Sequence, residues 1–253
     1  MIKFFRKIRL NLINEGKTGK YLKYAIGEII LVVIGILIAL QINNWNENVQ
    51  QKKEELKTLM SLHEALKTNM AELDQIIQVQ NLRNKFSEEF LFTDISSQSV
   101  LHVDSLITIS SQNYTFNPST GIYNSIVNSG KLEIITNGSL KNRLSKLNDI
   151  VKDYQEGEEE IKKFTDLHME NYFIYNFNFN PAVLAGLRER TAEEEEKDKA
   201  FYLKIHRTFQ VQNMYSVLID KMGDLLFEAQ KLKSEYQGLI EDLEKEIKTM
   251  DKS

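Results

Sequence analysis

From Tyr24 to Ile42 the chain reads YAIGEIILVVIGILIALQI, and twelve of these nineteen residues are Ile, Leu or Val. As a helix the run spans about 28 Å, close to the roughly 30 Å hydrocarbon core of a bilayer. At about −0.3 to −0.6 kcal/mol each on an insertion scale, the branched side chains contribute roughly −4 to −7 kcal/mol. Glu28 opposes this, but a central charge costs only about +3 kcal/mol on that scale, and Glu28 lies one turn from the end. Insertion wins. Tyr21, Tyr24 and Trp45 bracket the run where amphipathic rings prefer the interface. A cleaved signal peptide fits poorly, because the run starts after 23 residues and a cut after Ala39 leaves Leu37 where a small side chain is required. A buried core helix explains neither the basic flank nor the aromatic brackets. The segment reads as an uncleaved anchor.

Charge orients it. Lys3, Arg6, Lys7, Arg9, Lys17, Lys20 and Lys23 precede or open the span against Glu15 and Glu28, a balance of +5; the other 25 basic and 34 acidic residues leave −9. Only Lys52, Lys53 and Lys57 follow within the next stretch. The positive-inside rule therefore predicts a cytoplasmic N-terminus and an exported acidic body. Residues 1–23 form a basic amphipathic cytoplasmic tail in this reading, 24–42 the transmembrane helix and 43–253 an extracytoplasmic helical-bundle domain. Within the tail, Met1, Phe4, Phe5, Ile8 and Leu12 share one helical arc and Lys3, Arg6 and Lys7 the other, a pattern suited to anionic lipid. An acidic body disfavours nucleic acid, whose affinity comes largely from cations on phosphates. The absence of Cys removes disulfides, thiolate zinc sites and Cys nucleophiles together.

Eleven Gly and two Pro in 253 residues favour long helices. No Gly or Pro lies between Ile42 and Phe86, so the anchor helix can run straight on. Val49, Leu56, Leu59, Leu66, Met70, Leu73 and Ile77 follow a heptad with Lys52 and His63 out of character, and Met60, Leu62, Ile76 and Val79 widen the stripe. A widened stripe suits a bundle. A second long helix starts at a Thr191/Glu194 capping box and carries Tyr215, Leu218, Met222, Leu225, Ala229, Leu232, Tyr236, Leu239 and Leu243, reaching as far as Met250. A third starts after Asn137-Gly138 with Ser139 as N-cap and carries Leu140, Leu144, Leu147, Val151, Tyr154 and Ile161. A short helix fits between Asn117-Pro118 and Gly130, and Asp94–Asn117 reads as a short helix in preference to a strand. The expected fold is all-α: one N-terminal transmembrane helix followed by an elongated antiparallel helical bundle.

The block YAIGEIILVVIGILIALQINNWNE (Tyr24–Glu47), preceded by MIKFFRKIR, resembles an uncharacterised family of bacterial single-span membrane proteins, a domain of unknown function. YNSIVNSGKLEIITNGSLKNRL (Tyr123–Leu144) resembles that family's second recurrent block. The resemblance implies a protein of a Gram-negative inner membrane with a periplasmic domain. It implies no activity.

Candidate chemistry is sparse. His63, His102, His168 and His206 are scattered, without Glu-x-x-His or His-Glu-x-x-His spacing, so no metal and no cofactor is expected. The acidic runs Glu158–Glu160 and Glu193–Glu196 read as solvated faces and a helix N-terminus. Five aromatics, Tyr172, Phe173, Tyr175, Phe177 and Phe179, precede Asn180-Pro181; they form either a plug at one end of the bundle, the favoured reading, or a binding patch. In the span, Glu28, Val32, Gly35, Ala39 and Ile42 share one helical face, where Gly35 and Ala39 allow close approach of a second helix. A tail of about 23 residues is too short to fold as an output domain. The expectation is a non-enzymatic envelope protein whose partners are the lipid bilayer and another envelope protein or a second copy. The competing class is a small-molecule binder, sensor or enzyme with a site inside the bundle, for which a pocket of about 300 Å³ or more is the mark.

Overall fold

The computed structural model describes residues 18–177, 183 and 186–252. The amphipathic tail pattern of Met1–Leu12, with Phe179 and the Asn180-Pro181 turn, lies outside the described residues. Among the described residues seven α-helices follow one another: α1 Thr18–Phe92, α2 Val100–Ser111, α3 Gly121–Asn128, α4 Gly138–Phe164, α5 Asn171–Asn176, α6 Ala192–His206 and α7 Phe209–Met250. Among the described residues there is no strand, and the fold is all-α as its low Gly and Pro content requires. The stretch around Asp94–Asn117 holds a helix, α2, capped by Ser99, whose side chain accepts from the His102 amide.

The chain divides into two compact units, Met1–Leu56 and Lys57–Ser253. In the first, α1 is bare: Ile29, Leu31, Ile36, Leu40 and Ile42 are each more than half exposed, and none of the apolar window is covered by protein. The helix continues without interruption to Phe92, with no Pro anywhere in it and no Gly after Gly35.

The second unit has one core. The α7 stripe runs Val211, Met214, Tyr215, Leu218, Met222, Leu225, Ala229, Leu232, Tyr236, Leu239 and Leu243, spaced by three and four, so one face of the helix is buried along its length. It packs against Leu140, Leu144, Leu147, Val151, Tyr154 and Ile161 of α4 and Leu59, Leu62, Leu66 and Leu73 of α1. Each fully buried large side chain contributes on the order of 1.5–3 kcal/mol. Polar contacts fix direction. His63 meets Glu244 at 3.2 Å and Asp74 meets Lys233 at 2.7 Å, so α7 runs antiparallel to α1. Glu160 meets Lys221 at 3.2 Å and Arg143 meets Glu235 at 3.0 Å, so α7 is antiparallel to α4 as well.

Two boundaries and one burial assignment differ from the sequence reading. The N-cap of α4 is Asn137 and not Ser139: its side chain accepts from the Leu140 amide, and Gly138 and Ser139 already lie inside the helix. The expected single C-terminal helix is two, broken at Arg207–Thr208. There Thr208 gives its hydroxyl to the Ile205 carbonyl and accepts from the Val211 amide, so one side chain ends α6 and caps α7. The Thr191/Glu194 capping box is present at the start of α6. Met60, placed in the buried stripe of α1, is 53% exposed.

Candidate functional site

Residues 112–120, between α2 and α3, form neither helix nor strand, yet Phe116 at their centre is fully buried. Phe116 alone of these residues is buried, and its irregular backbone needs partners for its amide and carbonyl. Long polar side chains from two helices supply them. From α1, Gln80 donates to the Tyr114 carbonyl (3.0 Å), Glu72 accepts from the Asn117 amide (3.2 Å) and Asn69 pairs with both the amide (2.9 Å) and carbonyl (3.3 Å) of Ser119. From α4, Gln155 donates to the Phe116 carbonyl (3.0 Å), and both Glu158 oxygens accept from the Phe116 amide (3.0 and 2.9 Å). The segment is a strap, held much as a strand is held by its neighbours. Its Phe116 ring sits edge-on to Tyr154 (6.1 Å) and Tyr236 (6.4 Å).

Arg83 extends this polar row along α1. It is 1% exposed, and among the described residues it forms no ion pair. Its Nε donates to the Ser110 carbonyl at 2.9 Å and its Nη2 to Thr165 Oγ1 at 2.9 Å, with Asn113 Oδ1 at 3.4 Å. Ser110 lies in the last turn of α2, where unsatisfied carbonyls gather partial negative charge, so the guanidinium acts as a C-terminal cap. Thr165 opens the π-helical turn Thr165–Glu170 that follows α4. Burial lowers the Arg83 pKa from 12.5 to about 10, which leaves it cationic at neutral pH.

Glu158 has the opposite problem. It is 4% exposed, and burial pushes its carboxyl up to about 7; the Phe116 amide and Tyr154 pull it down, and the charge of Glu72 pushes it further up. Burial first, then Glu158 itself, drives the Tyr154 phenol well above its ordinary range. The Tyr154 hydroxyl is buried close to the Glu158 carboxyl but makes no hydrogen bond of normal geometry. The acidic run Glu158–Glu160 is therefore not wholly a solvated face: Glu159 and Glu160 are exposed, while Glu158 points into the core.

The remaining candidates fall in separate places. His63 lies between Glu64 and Glu244, His102 meets Glu89 at 2.6 Å, His168 stacks on Phe164 and His206 meets the Phe90 carbonyl at 2.7 Å. Among the described residues, no three His, Cys, Asp or Glu gather as a metal site would need. Phe173 and Phe177 join Phe201 and Tyr202 in edge-to-face and tilted contacts of 4.8–5.8 Å, a ring cluster that ties α5 to α6, while Tyr175 is 82% exposed. Val32, Gly35, Ala39 and Ile42 are exposed on α1 and Glu28 is half-buried. A cleft beside the strap, lined by Leu66, Asn69, Pro118, Tyr123 and Tyr236, holds about 20 Å³, and one between Glu160, Lys221, Asp224 and Glu228 about 100 Å³. Both are below the size of a ligand pocket.

An all-α chain with one helix long and apolar enough to cross a membrane, followed by a packed helical unit, is the class these features define. Within it, the chain belongs to the family of unknown function DUF6090, whose model matches residues 28–173, from the apolar helix through α5. No curated protein and no solved structure matches the chain.

Proposed function

We propose that the protein is a single-span protein of the bacterial inner membrane. Its N-terminus is cytoplasmic in this reading, and residues 43–253 form a periplasmic bundle that binds another envelope protein or a second copy. The observation that carries the anchor is the unburied apolar stretch of α1. Orientation rests on the seven Lys and Arg that precede or open it. Binding is favoured over catalysis because the buried Asn69, Gln80 and Glu158 and the partly exposed Glu72 and Gln155 are committed to the strap's backbone. Within the membrane, the face of Glu28, Val32, Gly35, Ala39 and Ile42 is the contact this reading assigns to a neighbouring helix. Alkaline phosphatase fused after Ser253 is expected to be active, and a fluorescent cytoplasmic reporter at the same place dark. The reverse pattern overturns the topology. Crosslinking in native membranes then asks what the bundle holds; recovery of uncrosslinked monomer alone counts against an interaction role.

A further inference from the structure

Two carboxylates hold successive amides of the strap. The Phe116 N–H points between both oxygens of Glu158, from α4, and the Asn117 N–H donates to Glu72, from α1. Among the described residues, no Lys, Arg or His lies within ion-pair distance of either acid. Tyr154, one turn before Glu158, presents its buried hydroxyl on the same side, and Gln155 holds the carbonyl of Phe116. From α7, the Tyr236 phenol closes the far edge of the Phe116 ring. The Phe116–Asn117 step, buried at Phe116 and exposed at Asn117, thus faces two acids and two phenols and, among the described residues, no cation within ion-pair distance of the acids.

We propose that Glu158 makes the strap a pH-sensitive latch, closed when the carboxyl is protonated and loosened when it ionises. A neutral carboxyl still accepts from the Phe116 amide through one oxygen, and its O–H can donate to the Tyr154 hydroxyl oxygen. The ionised form leaves a buried carboxylate without a cation, and the charge of the partly exposed Glu72 adds to the penalty. Its pKa of about 7 places the change near neutrality. A carboxyl that holds its proton more tightly in the closed strap than in the open one favours opening as pH rises from its ordinary range to about 7. Opening withdraws Phe116 from between Tyr154 and Tyr236, and it lifts Pro118 and Ser119 off the apolar cleft they share with Leu62 and Leu66. An apolar face of the bundle is then available above neutral pH and covered below it.

Hydrogen exchange of the full chain in detergent, read by mass spectrometry and corrected for the intrinsic pH dependence of exchange, tests this. Peptides covering 112–120 are expected to lose roughly 50-fold in protection between pH 5 and 8, the ratio set by about two pKa units with partial titration at each end. Peptides of α7 are expected to hold constant. In Glu158→Gln, which keeps the acceptor and cannot ionise, strap protection should be flat across the range. Glu72→Gln removes a like charge that raises the Glu158 pKa, so the transition should end at lower pH and the loss of strap protection between pH 5 and 8 should shrink. Constant strap protection in the parent overturns the latch, as does a loss in Glu158→Gln equal to the parent's. Should that variant fail to fold, carboxyl-carbon NMR of Glu158 in the parent decides: a midpoint near 7 supports the latch, and one in the ordinary carboxylate range overturns it.

Discussion

Replacing Arg83 by Met keeps most of the buried volume while deleting the charge and its donors. Two hydrogen bonds of 2.9 Å are lost, to the Ser110 carbonyl and to Thr165. Bonds from a charged donor are worth about 1.5–3 kcal/mol each, so the loss is roughly 3–6 kcal/mol. Against it stands relief from burying a cation. The guanidinium pKa falls from 12.5 to about 10, a penalty of about 3 kcal/mol at 1.36 kcal/mol per unit. The difference predicts that Arg83→Met destabilises the bundle by up to about 3 kcal/mol. Arg83→Ala removes the side-chain stem as well, and its cavity adds about 2 kcal/mol or more. Urea unfolding of each variant in detergent, followed by near-ultraviolet circular dichroism, gives both numbers. Should Arg83→Met exceed the parent in stability, the capping role is wrong, and replacing a buried charge by an apolar side chain is simply favourable here.

A fragment beginning at Asn46 is expected to be soluble and strongly helical, since its stripes cover one another; a circular dichroism spectrum of strand or coil removes the bundle. At Gly238 an added Cβ would lie 2.6 Å from Arg143 Nη2, so Gly238→Ala must displace that guanidinium from Glu235 and Asp242. Those pairs are partly exposed and worth a few tenths of a kcal/mol each, whereas Ala gains about 1 kcal/mol in helix propensity. The variant should therefore unfold at equal or slightly higher urea, and a loss above 1 kcal/mol would refute that balance. If the Gly35 face docks against another helix, Gly35→Leu weakens association in a membrane two-hybrid assay and Val33→Leu does not; equal behaviour makes it lipid-facing surface.

Periodicity carried the helices well and their polar members badly. The α7 stripe was legible from Tyr215 to Leu243 because each of its buried residues there is apolar or aromatic and the three-four spacing never lapses; Val211 and Met214, also buried, extend it toward the N-terminus. In α4 the spacing jumps from Tyr154 to Ile161, and the missing member of that row is Glu158, buried where the pattern asks for an apolar residue. The same holds in α1, whose seam turns polar after Ile77 at Gln80, Arg83 and Ser87, all buried. These gaps were the available signal for the strap. The strap itself has no period, because its partners are side chains distant in sequence. Thr208 illustrates a different limit: a hydroxyl that can bond the preceding turn or cap the following one splits a helix that composition alone would continue.

The antiparallel pairing of the first and last long helices also sets a timetable. His63 and Glu244 meet across 181 residues of sequence. At about 5–20 residues per second, roughly 10–40 s of synthesis separate them. Throughout that interval Leu59, Leu62, Leu66 and Leu73 have emerged while α7, which covers them, has not been made. A nascent chain of this kind carries an adhesive flank for longer than most small domains take to fold, so its yield in a cell should depend on a holding chaperone or on how quickly its C-terminal forty residues are delivered.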